Sequence, residues 1–139
     1  MDSYKPDLPD NTREIKAKYA ADTFPQKMGI KLVELTPGYA RVEVKVTEDM
    51  LNFHNIAHGG AIFTLADTAF GLASNSRGPA VALQVSINFI SAVDPGTVIF
   101  ATAVEEQLTR KTGIYNITVA SEEGKTVALF RGVVYRKKQ

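Results

Sequence analysis

The sequence has no cysteine among its 139 residues. This absence excludes disulfide bonds, thiol nucleophiles and thiolate metal sites, and it is compatible with a reducing compartment. The chain also lacks any apolar run of the roughly 18 residues that a membrane-spanning helix needs. Residues 1–12 are polar and do not resemble a secretory signal. We therefore expect a cytoplasmic protein.

An excess of charge of one sign is also missing. The 16 basic and 15 acidic residues leave a net charge of +1. A charge this small produces no electrostatic field that would attract nucleic acid or an anionic membrane. His54 and His58 are the only histidines, and their spacing of four residues could place both on one metal ion. No third ligand stands at a suitable spacing, so we expect no metal and no other cofactor.

The composition is that of an ordinary globular domain, with 45% hydrophobic and 22% charged residues. A chain of this length forms one domain that can bury a substantial core. No internal repeat or low-complexity segment divides residues 1–139. Residues 1–10 contain Pro6 and Pro9 and are predicted to form a flexible arm.

The clearest pattern is a long helix that starts near two glycines and runs to about residue 76. Its apolar residues recur with helical spacing: Ile62, Leu65, Ala66, Ala69, Phe70 and Ala73. Phe63 and Leu72 make most of the remaining surface apolar, which predicts a buried helix. Asp67 lies in the middle with no cation three or four positions away. Either it occupies the least buried stripe near Thr64 or Thr68, or its surroundings adjust its basicity for chemistry.

Gly59 and Gly60 open this helix, where backbone N–H groups can approach an anion closely. The simpler interpretation is a turn before the helix. Gly59 and Asp67 are eight residues apart, about 12 Å along the axis. One reacting carbonyl group must lie within about 3 to 3.5 Å of its catalytic groups, so one helix cannot complete a site. Two antiparallel helices about a two-fold axis would bring Gly59 of one chain opposite Asp67 of the other, which predicts a homodimer.

Turn residues and alternating apolar residues divide the rest of the chain. We predict a short helix from residue 11 or 12 to 21 or 22, ended by Pro25, and strands over 28–36, 39–47, 81–89, 97–108, 113–121 and 126–137. The last four strands are predicted to complete an antiparallel meander, and the strand over 81–89 to be half-buried. The fold class is α+β, with one long helix covering a six-stranded antiparallel sheet.

The residues His58-Gly59-Gly60, followed by Leu65-Ala66-Asp67-Thr68 and preceded by Asn52, resemble the PaaI-like hot-dog-fold acyl-CoA thioesterases of phenylacetate degradation. The resemblance covers about residues 24–136. It implies a hot-dog fold, Asp67 as general base or nucleophile, and the Gly59 amide of the partner subunit as oxyanion donor. It also implies that Asn52 and His58 hold the lytic water or the thioester carbonyl, and that two dimers form a homotetramer.

Other residues are expected to contact the substrate. Phe53 replaces a glycine that relatives often carry, so the acyl preference stays open. Arg77, Arg110 and Lys111 are the candidates for the phosphates of coenzyme A, although basic residues on turns are commonly only solvated. The further candidates for the acyl group and its surroundings are Gly60, Phe63, Thr68, Phe70, Gln84 and Ser86. Aromatic residues at helical spacing are often plain core.

Two other functions fit the same residues. A hydratase or dehydratase acting on acyl thioesters would use His58 and Asp67 as an acid and base pair. A non-catalytic module would bind acyl-CoA without turnover.

Overall fold

The computed structural model describes residues 8–137, so most of the predicted arm over 1–10 lies outside the described residues. The helices are α1 (Thr12–Ala20), α2 (Thr23–Met28) and α3 (Gly59–Asn75), with a short 3-10 helix at Glu48–Met50. The strands are β1 (Lys31–Thr36), β2 (Tyr39–Lys45), β3 (Ala80–Phe89), β4 (Val98–Leu108), β5 (Thr112–Ser121) and β6 (Thr126–Arg136).

All six strands form one sheet in the order β1-β2-β4-β5-β6-β3, and every neighbouring pair is antiparallel. The predicted six-stranded sheet is confirmed. The predicted meander holds for β4, β5 and β6 but is wrong for β3, which pairs with β6 at the far edge. The reason is that α3 carries the chain across the sheet, and the connection after β3 returns it to the position beside β2.

One side of α3 packs on the sheet and supplies much of the core. Its buried apolar residues are Ile62, Leu65, Ala66, Ala69, Phe70, Leu72 and Ala73. Phe70 is 1% exposed and its ring lies 6.0 Å from Tyr115 and 5.7 Å from Phe130, centroid to centroid. A Cβ at Gly132 would lie 2.5 Å from Phe70 Cζ, so only glycine admits the ring there. Phe70 is therefore core, and the prediction that it lines the acyl pocket is wrong.

The opposite side of α3 is open in the single chain. Asp67 is exposed, and Phe63, Thr64, Thr68 and Gly71 are only partly buried. The prediction of a buried helix is therefore confirmed for one side of α3 and wrong for the other in a single chain, because the sheet covers only one side. Asp67 lies on this open stripe, as the simpler interpretation of its position predicted.

The two N-terminal helices lie against α3. The predicted start of α1 is confirmed: Asp10 Oδ1 accepts hydrogen bonds from Thr12 N at 3.0 Å and Thr12 Oγ1 at 2.6 Å. Pro25 does not end α1, contrary to prediction, but lies in the first turn of α2, where its missing N–H leaves no helical hydrogen bond unmade. Gly29, with φ of 84°, ends α2, which delays the first strand to Lys31.

Among residues 8–137, no helix has both the length and the hydrophobicity required to cross a membrane.

Candidate active site

A tight loop places Asn52 in front of α3. Its Oδ1 accepts hydrogen bonds from His54 N at 2.8 Å and Ile56 N at 3.4 Å, and its backbone N donates to Ile56 O at 2.9 Å. Asn55 has φ of 63°, a left-handed conformation that asparagine tolerates. Within the described residues, the Asn52 Nδ2 group donates to no partner. The loop is thus fixed by one end of this amide, while its two N–H donors are available to a ligand.

His58 is the N-cap of α3. Its Nδ1 accepts a hydrogen bond from Gly60 N at 2.9 Å, and its own backbone N donates to Met50 O at 2.7 Å. This capping role could have been suspected only from the position of His58 before the helix. The Gly60 N–H, which was expected to meet the substrate, is therefore already hydrogen-bonded within the chain.

The Gly59 N–H is left without an acceptor among residues 8–137. Gly59 and Asn52 line the same cavity, of about 300 Å³, together with Ile62 and Phe89. A Cβ at Gly59 would lie 3.3 Å from Phe89 Cζ, so the ring stands close above the helix start. The cavity thus combines an unpaired backbone donor at the positive end of α3 with an unpaired side-chain amide. Such a pair suits a carbonyl oxygen that gains negative charge.

Asp67 lines a different cavity, a groove of about 670 Å³ on the open side of α3. Its carboxylate has no hydrogen bond or ion pair in the part of the chain that the structure describes. Although Asp67 is open to solvent, the groove around it removes part of the water from its charged carboxylate, and this desolvation raises the pKa of Asp67 above its ordinary value. Thr68 lies beside it in the groove, and its Oγ1 donates to Thr64 O at 2.6 Å.

The donor pair and the carboxylate are therefore both present, but one chain does not bring them together. They line separate cavities on one rigid helix, eight residues and about 12 Å apart along its axis. A single chain therefore presents its free N–H donors in one cavity and its free carboxylate in another.

The structure places the other predicted substrate contacts on the surface. Phe53 is 91% exposed at the tip of the loop, against the His54 ring at 4.5 Å. Gln84 and Ser86 are exposed on β3. The prediction that this strand is half-buried is wrong for most of it, because β3 is an edge strand and a register shift between Ala82 and Gln84 interrupts the alternation.

The basic residues gather at the other end of α3. Arg77 Nε lies 3.0 Å from Glu105 Oε1, and the Arg77 side chain is only 17% exposed. Arg77 therefore belongs to the fold, and the structure does not support its expected role in phosphate binding. Arg110 and Lys111 lie on the turn between β4 and β5. Arg136 donates through its backbone N to Lys111 O and through Nη2 to Arg77 O, which brings this turn to the end of α3.

Among residues 8–137, no three histidine or acidic side chains cluster as a metal site would require. An antiparallel sheet around one long helix, with amide donors at the helix start and an unpaired carboxylate at its middle, defines a hot-dog-fold protein equipped for acyl transfer.

The comparison with known proteins agrees with this class. Residues 54–128 match the family model of the thioesterase superfamily. The acyl-coenzyme A thioesterase PaaI of Escherichia coli is 41% identical over 121 residues, which cover 86% of each chain. The chain therefore belongs to the thioesterase superfamily, as a PaaI-like member with the hot-dog fold, and it is a thioester hydrolase.

Solved structures show the same relationship. The E. coli PaaI structure, from the phenylacetic acid degradation operon, has a TM-score of 0.89 and 38% identity, covering 94% of this chain and 96% of that one. The TT0310 protein of Thermus thermophilus is 47% identical with a TM-score of 0.80, covering 82% and 97%. The smu.793 protein of Streptococcus mutans, bound to acetyl CoA, is 32% identical with a TM-score of 0.74, covering 78% and 91%.

Proposed function

We propose that this thioester hydrolase converts an acyl-CoA to a free acid and coenzyme A, in a site that two copies of the chain form together. The proposal depends on one observation. The unpaired Gly59 N–H and the unpaired Asp67 carboxylate lie on the same helix but line different cavities. The similar E. coli protein is an acyl-coenzyme A thioesterase and the similar S. mutans protein is bound to acetyl CoA, which supports coenzyme A as the thiol.

Two surfaces of the chain favour a symmetric dimer. The open stripe of α3 can face a second α3, and an antiparallel arrangement with Phe63 near the axis sets Gly59 opposite the partner's Asp67. The strand β3 pairs with β6 on one side only. It exposes large apolar side chains along that free edge and just beyond it: Val81, Leu83, Phe89 and Ile90. A long apolar edge of this kind is normally covered by another chain.

A tetramer of two such dimers is the further assembly that we propose. The face of the sheet turned away from α3 exposes Val104, Leu129 and Tyr135, and these side chains provide apolar surface on which a second dimer can pack. Light scattering of the purified protein distinguishes a dimer from a tetramer.

In the proposed reaction, the thioester carbonyl oxygen accepts hydrogen bonds from Gly59 N and Asn52 Nδ2 of one chain. Asp67 of the other chain takes a proton from water while the water oxygen bonds to the carbonyl carbon. The tetrahedral oxyanion then collapses, the carbon–sulfur bond breaks, and the thiolate of coenzyme A takes the proton from Asp67. One preorganised donor to such an oxyanion contributes about 3 to 4 kcal/mol.

A covalent route uses the same groups. The Asp67 carboxylate attacks the carbonyl carbon, coenzyme A leaves as its thiolate, and water hydrolyses the mixed anhydride to release the acid. Hydrolysis in water labelled with oxygen-18, followed by mass spectrometry of the protein after one turnover, tests the covalent route. Label in Asp67 would establish that route, with water attacking the Asp67 carbonyl carbon of the anhydride, because the general-base route leaves both Asp67 oxygens unchanged.

Lys111 and Arg110, on the turn at the end of α3, remain our candidates for the phosphates of coenzyme A. We expect Lys111→Ala to raise KM for acyl-CoA and to leave KM for the corresponding acyl-pantetheine unchanged, because the latter lacks the nucleotide phosphates.

The experiment that tests the proposed function follows thiol release from a panel of aliphatic and aromatic acyl-CoAs with a thiol reagent. We expect release with at least one acyl group. Asp67→Asn should lower kcat by about 10²- to 10⁴-fold, the usual contribution of a general base. The control is Glu123→Gln, which removes an exposed carboxylate from the turn between β5 and β6. Failure of the native chain to cleave any acyl-CoA would contradict the proposal.

The hydratase alternative fits the geometry less well. It requires His58 as an acid, but His58 Nδ1 accepts the Gly60 N–H to cap α3, which leaves only Nε2 to carry a proton towards a substrate.

A further inference from the structure

We infer that the groove between α3 and the helices α1 and α2 holds the acyl group of the substrate, and that Phe24 is a specificity-determining residue for that group. The inference rests on the proposed function, because it takes Asp67 as the carboxylate beside the scissile carbonyl. It adds the direction in which the substrate lies, with the acyl group on the Asp67 side and the coenzyme on the Gly59 side.

The shape of the groove suits an elongated group. Asn11 N donates to Ser76 O at 2.7 Å, so α1 starts at the end of α3. The groove follows α3 from Phe63 to Asn75, about 18 Å along the helix axis. Its other wall passes from Ile15 on α1 to Phe24 on α2. The volume of about 670 Å³ falls in the range of small-molecule sites.

Lys18, Asp22 and Asp67 bring charges to the groove, and four uncharged polar side chains that line it already donate hydrogen bonds within the chain. Thr64 Oγ1 donates to Gly60 O at 2.8 Å, and Thr68 Oγ1 donates to Thr64 O at 2.6 Å. Asn75 Nδ2 donates to Gly71 O at 2.9 Å, and Tyr19 OH donates to Ile30 O at 2.8 Å. Because these four donors are occupied, the carbonyl groups of a pantetheine arm would find no free donor among them, which is costly on burial. A hydrocarbon group needs no donor.

The cavity beside Gly59 differs from the groove in its free hydrogen-bond donors. It contains the free Gly59 N–H and the free Asn52 Nδ2 group described above, both of which are donors for carbonyl oxygens. A thioester has one carbonyl with an apolar group on one side and an amide-bearing arm on the other. The two cavities therefore match the two sides of the substrate when Gly59 of one chain and Asp67 of its partner meet at the carbonyl.

Phe24 is the large apolar residue that the fold leaves open in this groove. It is 64% exposed at the second position of α2. The helix itself is held firmly, with Gln26 Nε2 donating to Tyr19 O at 2.9 Å and Ile30 N donating to Pro25 O at 3.1 Å. The ring thus contributes little to the core but has apolar surface to bury against an acyl group.

The first test measures kcat/KM for acetyl-CoA and for progressively larger acyl-CoAs with the native chain, Phe24→Ala and Phe24→Leu. Every substrate carries the same coenzyme, so only a contact with the acyl group produces a loss that grows with acyl size. We expect Phe24→Ala to lower kcat/KM about tenfold for the larger acyl groups and less than about twofold for acetyl-CoA. Phe24→Leu should restore most of the loss.

The matched control is Val33→Ala, an apolar residue on β1 that is 49% exposed and does not line the groove. It should leave the dependence on acyl size unchanged. If Phe24→Ala lowers kcat/KM equally for all substrates, or has no effect on any, the inference is wrong although the proposed function stands. If the native chain releases thiol from none of the acyl-CoAs, the proposed function itself fails, and the inference fails with it.

The second test uses the absence of tryptophan from the sequence. In the double variant Phe24→Trp, Asp67→Asn, the new side chain is the single tryptophan, and the thioester persists during the measurement. We expect octanoyl-CoA to shift its emission to shorter wavelength, since apolar contact replaces water, whereas coenzyme A alone should cause no shift. A shift with coenzyme A alone, or no shift when calorimetry shows that octanoyl-CoA is bound, would overturn the inference.

Discussion

His58 Nδ1 accepts a hydrogen bond from Gly60 N at 2.9 Å and thereby leaves Gly59 as the one residue of the first turn of α3 whose N–H lacks an acceptor within residues 8–137. The N-cap amide of His58 donates to Met50 O at 2.7 Å, and the amide of Ala61 donates to His58 O at 2.9 Å. A helix normally begins with four N–H groups that need partners from outside its own turns. Here the chain satisfies three of them, and the Gly59 N–H is the fourth.

Replacing His58 tests this cap. We expect His58→Ala to lower the free energy of unfolding by about 1 kcal/mol, and His58→Asn to restore most of that loss, because asparagine is a good N-cap. Urea denaturation followed by circular dichroism measures the difference. If His58→Ala is as stable as the native chain, the cap contributes nothing. If His58→Asn restores the stability but not the activity, His58 has a second role at the substrate.

Gly59 allows its N–H to be deleted with little damage to the helix. It occupies the first position of α3, where proline is well tolerated, and the preceding His58 has φ of −63° and ψ of 139°, which a following proline requires. We expect Gly59→Pro to lower kcat about 10²- to 10³-fold relative to Gly59→Ala.

Gly59→Ala is the matched control, since it adds the same Cβ beside Phe89 but keeps the N–H. Steady-state kinetics of thiol release gives kcat for both variants, and circular dichroism checks their helix content. Equal activity of the alanine and proline variants would show that the Gly59 N–H does not stabilise the oxyanion.

Mixed dimers test whether the two halves of the site come from different chains. Gly59→Pro and Asp67→Asn should each be nearly inactive alone. After they are unfolded together and refolded as a mixture, each mixed dimer should contain one site with both Gly59 and Asp67 intact. Random pairing then restores about a quarter of the native activity per chain.

A site within a single chain gives the opposite result, because every site would then carry one of the two substitutions. The control is a mixture of the separately refolded variants measured at once, before subunits exchange. Recovery in the refolded mixture but not in this control supports the shared site, and no recovery in either contradicts it.

The pH dependence of hydrolysis should report Asp67. As a base or nucleophile the carboxylate must be ionised, so kcat/KM should rise with pH through an apparent pKa above 3.8, the ordinary value for this residue type. The reason is that partial burial of Asp67 raises its pKa. A pH–rate profile, with circular dichroism at each pH, measures this limb. An apparent pKa at or below 3.8 would contradict the prediction.

The same shift predicts a change in stability. The pKa of this carboxyl group is higher in the folded than in the unfolded chain. The difference stabilises the folded state at any pH below the unfolded-state pKa, and this stabilisation is lost as the pH rises through the folded-state pKa. At pH 7 the ionised Asp67 therefore destabilises the fold. Asp67→Asn should have the higher free energy of unfolding at pH 7, and the difference should shrink as the pH falls below about 4. Urea titrations at both pH values measure it.

The sequence alone determined the long helix and the six strands, and it singled out Gly59 and Asp67 as candidates for the site. Helical spacing of apolar residues from Ile62 to Ala73 marks α3, and strand alternation marks β2, because both patterns arise from local backbone geometry and the burial of one face. The distance of about 12 Å between Gly59 and Asp67 follows from the helical rise alone. The sequence therefore also predicted that these two residues of one chain cannot both reach one carbonyl group.

Only the tertiary structure decided what surrounds those groups. The edge position of β3 depends on pairing between residues far apart in the chain, which no local pattern encodes. Phe70 and Phe63 have the same helical spacing and similar chemistry, yet Phe70 packs on Gly132 in the core while Phe63 lines the groove. The pairing of Arg77 with Glu105 and the capping by His58 likewise depend on which polar groups the folded chain brings within hydrogen-bond distance.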